Sequence, residues 1–448
     1  MPLPFTPFEE YMFLDDSPSY PMDSFRLLHF TGSLDIRLLA DSIADVIQRQ
    51  PMLRSIVKKA GRFRFVWDES EVPPSAYYSE EVSAAGYPSV ESINLFKEPG
   101  FKVYATDNET GFSILLQFHH SVSDGIGEME IVGDILTEYA NKYQEKTLNP
   151  KPFKRREVNP ALLPLRGKSG LTLYKYFRYY FDTAITTRQL LLKQPAPLVP
   201  DVSGENNSAE QVPPLKDTPK FPAVIAAELT PKETKYFFRQ AKDQKITVND
   251  LLVHNLFLTL FDWRRQNISD KGNPLLRISV PMNLRTEKHQ GIPASNTVTM
   301  VFLDRRPRSG LNKEKLLRSV HREMEWIKRT EQKHVLLFGL RLCRMFPGGI
   351  AWAVKRKRCR ATAVLSNLGR IFKDVPLPRN EEGKIKAGAA ILESIDASPP
   401  IRHGTQISFS ALTYADRLRL ILRYDAKMMT AQQADDLLKM FIQKIKAA

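Results

Sequence analysis

Cysteine is scarce in this chain: its 448 residues hold two, Cys343 and Cys359. Two thiols supply neither a disulfide framework nor a complete zinc site, and they fit packing roles in a reducing compartment. Long apolar runs are missing as well, since no uncharged stretch nears the roughly 20 residues that cross a bilayer. The opening MPLPFTPFEEYMFLDD has no basic segment followed by an apolar core, so no secretory signal or mitochondrial leader is expected, and the expected location is cytoplasmic. Gly-x-Ser-x-Gly, His-Glu-x-x-His, the Walker loop and paired Cys-x-x-Cys are also absent. Gly125 and Gly127 lack the third glycine of a dinucleotide fingerprint.

What is present is globular in composition, with 42% apolar and 26% charged residues, and the length fits about two lobes. The formal net charge of +15 favours anionic partners. It is unevenly placed. Lys151–Lys193 carries ten Lys/Arg against two acids, threaded with Phe153, Tyr174, Tyr176, Phe177, Tyr179, Tyr180 and Phe181, and Lys333–Lys373 carries ten Lys/Arg and no acid. A solvated face is the plain reading of such runs. No nucleic-acid-binding module accompanies them, and no nucleic-acid partner is expected.

Residues 34–55, LDIRLLADSIADVIQRQPMLRS, set Leu38, Leu39, Ile43, Val46 and Ile47 at helical spacing and stop before Pro51. RFRFVWDE (62–69) alternates as a strand, and FSILLQF (112–118) puts Ile114, Leu116 and Phe118 on one face. Met129, Val132, Leu136, Tyr139 and Tyr143 then recur as on a helix. A proline-rich, basic and aromatic stretch follows, with the polar DVSGENNSAEQVPP (201–214) read as a mobile linker. Order resumes with a strand (222–229), a helix opening near Thr230 and Pro231, an apolar helix (248–265) and a buried strand (275–285). Then come a strand (297–304), a helix (312–329), two strands in 406–425 and a closing amphipathic helix. Both halves are mixed α/β. The expected organisation is one lobe over 1–170, a linker over 171–220 and a second lobe over 221–448.

Between the 112–118 strand and the helix lies QFHHSVSDG (117–125), where two of the eight histidines are adjacent. Capping by Ser121 and Asp124, with Gly125 in the turn, explains the acid and the glycine better than it explains His119 and His120. A metal fits poorly and none is expected: adjacent side chains on extended chain point to opposite faces, and no nearby Cys or His adds a third ligand. A general base fits the alternation, one imidazole facing a cleft and the other buried. A neutral imidazole can take a proton from a hydroxyl or amine as it attacks a carbonyl. His119 and Asp124 also match the His-x4-Asp spacing of glycerolipid acyltransferases, but the Glu-Gly-x-Arg block of that family is absent.

HHSVSDG resembles the His-His-x-x-x-Asp-Gly signature of the chloramphenicol acetyltransferase-like superfamily, which includes condensation domains, wax ester synthases and stand-alone alcohol acyltransferases. Other stretches are similar in order along most of the chain. GSLDIRLLADSIADVIQRQPMLRS resembles the family's opening helix and Pro-x-Leu-Arg, and ITVNDLLVHNLFLTL the helix that starts its second half. VPMNLR with SNT (295–297) resembles its Pro-x-Asn-x-Arg and Asn segments. LSNLGR (365–370) and the final hairpin and helix fit as well, most like the stand-alone bacterial alcohol acetyltransferase-like branch.

The resemblance implies two α/β lobes in a V-shaped pseudo-dimer with a tunnel between them. It implies acyl transfer from a thioester, on CoA or on the phosphopantetheine of an acyl carrier protein, to a hydroxyl or amine, with no tightly bound cofactor. A carrier-dependent amide-forming enzyme and a non-catalytic scaffold of the same fold are the alternatives. His120 would be the catalytic base and His119 its buried neighbour. Asp124 would be structural and paired with Arg285, and Gly125 would let the loop approach the substrate. Asn283 and Asn296 would support the site, and Ser366, Asn367 and Gly369 are candidates for substrate contact. The helix after Gly125 would aim its positive end at developing negative charge. No oxyanion-stabilising side chain is identified. The basic stretches would then dock CoA phosphates, an acidic carrier or anionic lipid, and the runs 174–181 and 335–358 suit peripheral membrane contact presenting a lipid-like acceptor. His254, inside an apolar helix, reads as a core residue.

Overall fold

FSILLQF forms the middle of a strand, Gly111–His119, that is buried on both faces beyond its first residue. The computed structural model describes residues 2–83, 85–108, 111–147, 151–168, 173–178, 180–200, 221–268, 272–306, 312–355 and 358–447. The first part of the chain forms β1 (Leu3–Pro4), α1 (Pro7–Asp15), β2 (Asp23–Gly32), α2 (Ile36–Gln48), β3 (Ser55–Gly61), β4 (Arg64–Glu69), β5 (Ser75–Tyr78), β6 (Phe101–Asn108), β7 (Gly111–His119) and α3 (Gly125–Thr147). Then follow α4 (Leu173–Arg178) and α5 (Tyr180–Leu192). The remainder forms β8 (Val224–Glu228), α6 (Pro231–Asp243), α7 (Val248–Asn267), β9 (Leu276–Asn283), β10 (Val298–Arg305), α8 (Lys313–Arg329), α9 (Val335–Arg344) and α10 (Gly349–Lys355). It closes with β11 (Ala363–Arg370), β12 (Lys386–Ala387), β13 (Ala390–Ser398), β14 (Ile407–Tyr414), β15 (Arg417–Tyr424) and α11 (Ala431–Ala447).

Two six-stranded sheets carry the two lobes, in the orders β12-β13-β2-β7-β6-β5 and β10-β9-β11-β14-β15-β8. On the first sheet, Leu39, Ile43, Val46 and Ile47 of α2 and Val132, Leu136 and Tyr139 of α3 join one apolar core with Leu28, Phe30, Ile114 and Leu116. Each such side chain removed from water contributes about 1.5–3 kcal/mol. On the second sheet, α7 is buried along most of its length against β9, β11 and β14, and Phe237 and Phe441 complete that core. Capping boxes at Thr230 with Glu233 and at Thr247 with Asp250 fix the starts of α6 and α7.

Two features differ from the sequence expectation. The stretch Lys386–Ser398, placed by its position in the second lobe, crosses to the first: β13 pairs antiparallel with β2, setting Leu392 opposite Phe30 and Ile395 opposite Leu28. This covers the edge of β2, whose unpaired backbone would otherwise face solvent. The 171–220 segment is not linker throughout. Its first part forms α4 and α5, and Leu198 is buried in the core of the second lobe. Residues 201–220 lie outside the described residues.

Candidate active site

The strand β7 ends at His119 and α3 begins at Gly125, so the intervening turn carries His120 to Asp124. Backbone bonds fix the turn on both sides: His119 N–H donates to Gly100 O at 3.0 Å and His120 N–H to Met22 O at 2.7 Å. Alternation then separates the rings. His119 is 1% exposed, and its Nδ1 accepts the Ser121 N–H at 3.2 Å, which leaves the proton on Nε2, 3.8 Å from Asp16 Oδ1. Burial above all, with His120 adding to it, pushes the His119 pKa down to about 3, so this ring stays neutral.

His120 keeps a 12% exposed side chain and lines a cavity between the lobes. Its Nδ1 is buried, makes no hydrogen bond and lies 3.4 Å from Glu128 Oε1. Glu128 is fully buried, accepts from Ser24 Oγ at 2.8 Å and contacts the Arg26 guanidinium at 2.6 Å. Arg26 projects from β2, the strand beside β7. The imidazole is thus backed by a buried carboxylate whose own charge is offset by one buried cation.

Asp124 is saturated. Its Oδ2 accepts from Arg285 Nη1 at 2.8 Å and from Thr297 N–H at 2.7 Å, while Oδ1 accepts from Gly127 N–H at 3.0 Å. Burial acts to raise its pKa, but the Arg285 charge and these three donors outweigh burial and hold it below the ordinary carboxylate value. Arg285 also donates from Nη2 to Ser295 O at 3.1 Å, and Asn283 Oδ1 accepts the Arg285 N–H at 2.9 Å. Asn296 Nδ2 donates to the carbonyls of His120 and Ser121, each at 2.8 Å. The segment 283–297 of the second lobe therefore braces the histidine turn. A side chain at Gly127 would press on the Ala294 and Ser295 backbone at 3.3 Å, and one at Gly125 on Leu368 Cδ2 at 3.0 Å and Arg26 Nη2 at 3.3 Å.

The cavity, counted with the open solvent at its mouth, spans about 1050 Å³. His120, Asp124 and Gly125 lie in its wall with Tyr11, Asp15 and Met22, and the second lobe contributes Met300, Phe302, Ser366, Leu368 and Arg402. Val364, Ser366 and Leu368 alternate along β11 and face the cavity. Asn367 and Gly369, candidates for substrate contact, do not line it: Asn367 Oδ1 accepts the Gly369 N–H at 3.0 Å, and Gly369 sits at a bulge with φ +67°. Asn283 is exposed and shapes its own turn. Among the described residues no three potential ligands gather as a metal site. His254 is buried in the middle of α7, and burial lowers its pKa to about 4.

The condensation domain family model matches residues 12–272, more than half of the chain. The chain belongs to the condensation domain family. It shares the two-lobed pseudo-dimer fold of solved condensation domains. The first condensation domain of the calcium-dependent antibiotic synthetase, in complex with a substrate analogue, matches with TM-score 0.66 and 14% identity over 100% of this chain and 96% of that one. The starter condensation domain of rhizomide synthetase, in complex with C8-CoA, matches at 0.64 and 12% over 100% and 94%. Polyketide synthase associated protein 5 of Mycobacterium tuberculosis matches at 0.59 and 10% over 99% and 98%. By sequence, the uncharacterized protein Rv2305 of the same organism is 24% identical over 290 residues, 62% of this chain and 61% of its own length. Surfactin synthase subunit 1 of Bacillus subtilis is 27% identical over 142 residues, 30% of this chain and 4% of its own length.

Two residues of this condensation domain's site went unread in the sequence, Glu128 and Arg26. Each left a signal. Helical Cα–Cβ bonds tilt toward the N-terminus, so an acid in the first turn of α3 reaches back to the histidine turn. An arginine inside the apolar strand FRLLHF can be buried only with a partner.

Proposed function

We propose that this condensation domain transfers an acyl group from a thioester, carried by CoA or by phosphopantetheine, to a hydroxyl or amine, with His120 as the base. The observation that carries the reading is the division of the histidine pair: His119 is sealed and neutral, while His120 lines the cavity between the lobes. Because Nδ1 turns toward Glu128, Nε2 is the nitrogen available to a bound acceptor. The acceptor oxygen or nitrogen attacks the thioester carbonyl as its proton passes to Nε2. The carbon–sulfur bond then breaks, and Nε2 passes that proton to the leaving thiolate. Glu128 stabilises the transient imidazolium across 3.4 Å. Asp124 and Arg285 hold the turn and take no proton. The rhizomide synthetase domain solved with C8-CoA supports a CoA donor, and an acyl carrier protein remains the rival donor.

No helix among the described residues is long and apolar enough to cross a membrane. Peripheral contact is supported instead by a surface of Met345, 76% exposed, Phe346, 70%, and Leu342, 45%, beside Arg341 and Arg344. Leu336, on the same helix as Leu342, lines the cavity, which supports a lipid-like acceptor presented from this face. Substitution of His120 by alanine, assayed with CoA thioesters and with carrier-bound ones, tests the base and names the donor.

A further inference from the structure

Where α1 meets the 399–405 turn, the cavity wall is out of charge balance. Of its charged side chains, Arg26 contacts Glu128, Asp124 is bound by Arg285, and Asp15 is bound by Arg402 at 2.6 Å. Arg360 lines the same wall, and among the described residues no carboxylate lies within ion-pair distance of it. Its guanidinium donates to the Ala353 carbonyl and stands 5.8 Å from the Tyr11 ring centre. Arg402 stands 5.4 Å from the same ring and donates to the Tyr11 hydroxyl. Two cations thus share one aromatic ring, and both act on the single carboxylate of Asp15, which only Arg402 reaches as an ion pair.

The polar atoms of this corner are also unspent. Arg402 Nε, Thr405 Oγ1 and Asp15 Oδ2 are buried without a hydrogen-bond partner, although Thr405 is 1% exposed and all three residues line the cavity. Buried polar atoms are nearly always satisfied. Orphaned N–H and O–H donors next to two guanidinium groups that share one carboxylate are the complement of a bound oxyanion, and Asp15 Oδ2 leaves one acceptor for a donor on the same ligand. The corner and His120 line the same cavity.

We propose that Arg360, Arg402 and Thr405 form an oxyanion subsite that binds a carboxylate or phosphate group carried by a substrate. The proposal rests on the acyl-transfer reading of this cavity. Guanidinium N–H groups match carboxylate and phosphate oxygens in pairs. An amino or hydroxy acid would place its carboxylate here and its amine or hydroxyl at His120; a CoA donor would place a phosphate here.

Matched substrates distinguish the two sources. The acceptors are leucine against leucinamide and 3-hydroxydecanoate against its methyl ester; the donors are octanoyl-CoA against octanoyl-N-acetylcysteamine. In Arg360→Gln the ratio of kcat/KM for the charged member over the uncharged one is expected to fall about ten- to a hundredfold, and in Thr405→Val about fivefold. A fall confined to the acceptor pairs assigns the carboxylate, and one confined to the donor pair assigns the phosphate. Unchanged ratios in a folded Arg360→Gln overturn the subsite. Equilibrium dialysis with the same compounds reads it without turnover. Charge-selective retention that is lost in Arg360→Gln supports the subsite even where no product forms, in which case the acyl-transfer reading alone fails. Equal retention of charged and uncharged members by the wild type overturns it.

Discussion

Asn296 holds the backbone of His120 from the opposite lobe: its amide donates to the His120 carbonyl at 2.8 Å across 176 residues of sequence, and to the Ser121 carbonyl at the same distance. The position of the catalytic candidate is therefore a property of the interface between the lobes. It is not a property of the HHSVSDG turn alone.

Substitution at Asn296 should follow the polarity of that contact. Asn296→Ala removes two donors to buried carbonyls and should cost about 1–3 kcal/mol of stability. Asn296→Asp puts acceptor oxygens against acceptor carbonyls and should cost more at pH 7 than at pH 4, where its carboxyl begins to protonate. Denaturant unfolding at the two pH values measures the difference, and an aspartate variant as stable as the alanine one at pH 7 contradicts the assignment.

His120→Ala should lower turnover about a hundred- to ten-thousandfold, as expected on removing a positioned base. Thermal stability should change little, since the side chain borders a cavity and its Nδ1 makes no hydrogen bond. Retained full activity with a thioester that the wild type uses would remove the mechanism.

Asp124→Ala leaves the buried Arg285 guanidinium without its counter-charge and should destabilise the protein by about 3–5 kcal/mol. The wild-type contribution has a defined pH sense. The folded carboxyl titrates below its ordinary value of about 3.9, so its stabilisation is complete above that value and disappears as pH falls through the lower folded one. Acid titrations of stability for wild type and variant should converge at the acid end.

His119 works in the neighbouring window. With its folded pKa near 3 against an ordinary value of about 6.5, the unfolded chain binds a proton that the folded one refuses, so stability falls as pH drops from about 6.5 toward 3. His119→Asn keeps an acceptor for the Ser121 N–H and does not titrate. The difference in unfolding free energy between the two proteins should grow with pH across that window. Comparing the two proteins also offsets the opposing titration of Asp23, which burial raises to about 7.

Met345→Ser with Phe346→Ser should weaken binding to anionic vesicles about tenfold or more, from the apolar area kept out of lipid. Co-sedimentation with phosphatidylglycerol vesicles at low and high salt, against phosphatidylcholine alone, checks both parts of the contact. No salt dependence would remove the basic residues from it.

Much of the site was legible in the chain because its parts are local. The alternation of FSILLQF delivers two histidines to opposite faces, and the helical spacing from Met129 onward places a helix directly after Asp124. Asn367 and Gly369 show the limit: they belong to a recognisable segment, yet strand alternation turns Ser366 and Leu368 toward the cavity and leaves Asn367 and Gly369 off its wall.

The sequence by itself determined the order of the elements, the caps that start α6 and α7, and the identity of the residues at the histidine turn, because hydrophobic period and turn chemistry act between near neighbours. Only the tertiary structure decided that Lys386–Ser398 completes the first lobe's sheet, that Glu128 and Arg26 stand behind His120, and that Arg360 meets Arg402 at one tyrosine. A strand pattern records that one face is buried without recording against which sheet, and a charged residue does not name its partner. Those choices are made by packing between segments hundreds of residues apart, where burial of apolar area and pairing of buried charge select one arrangement.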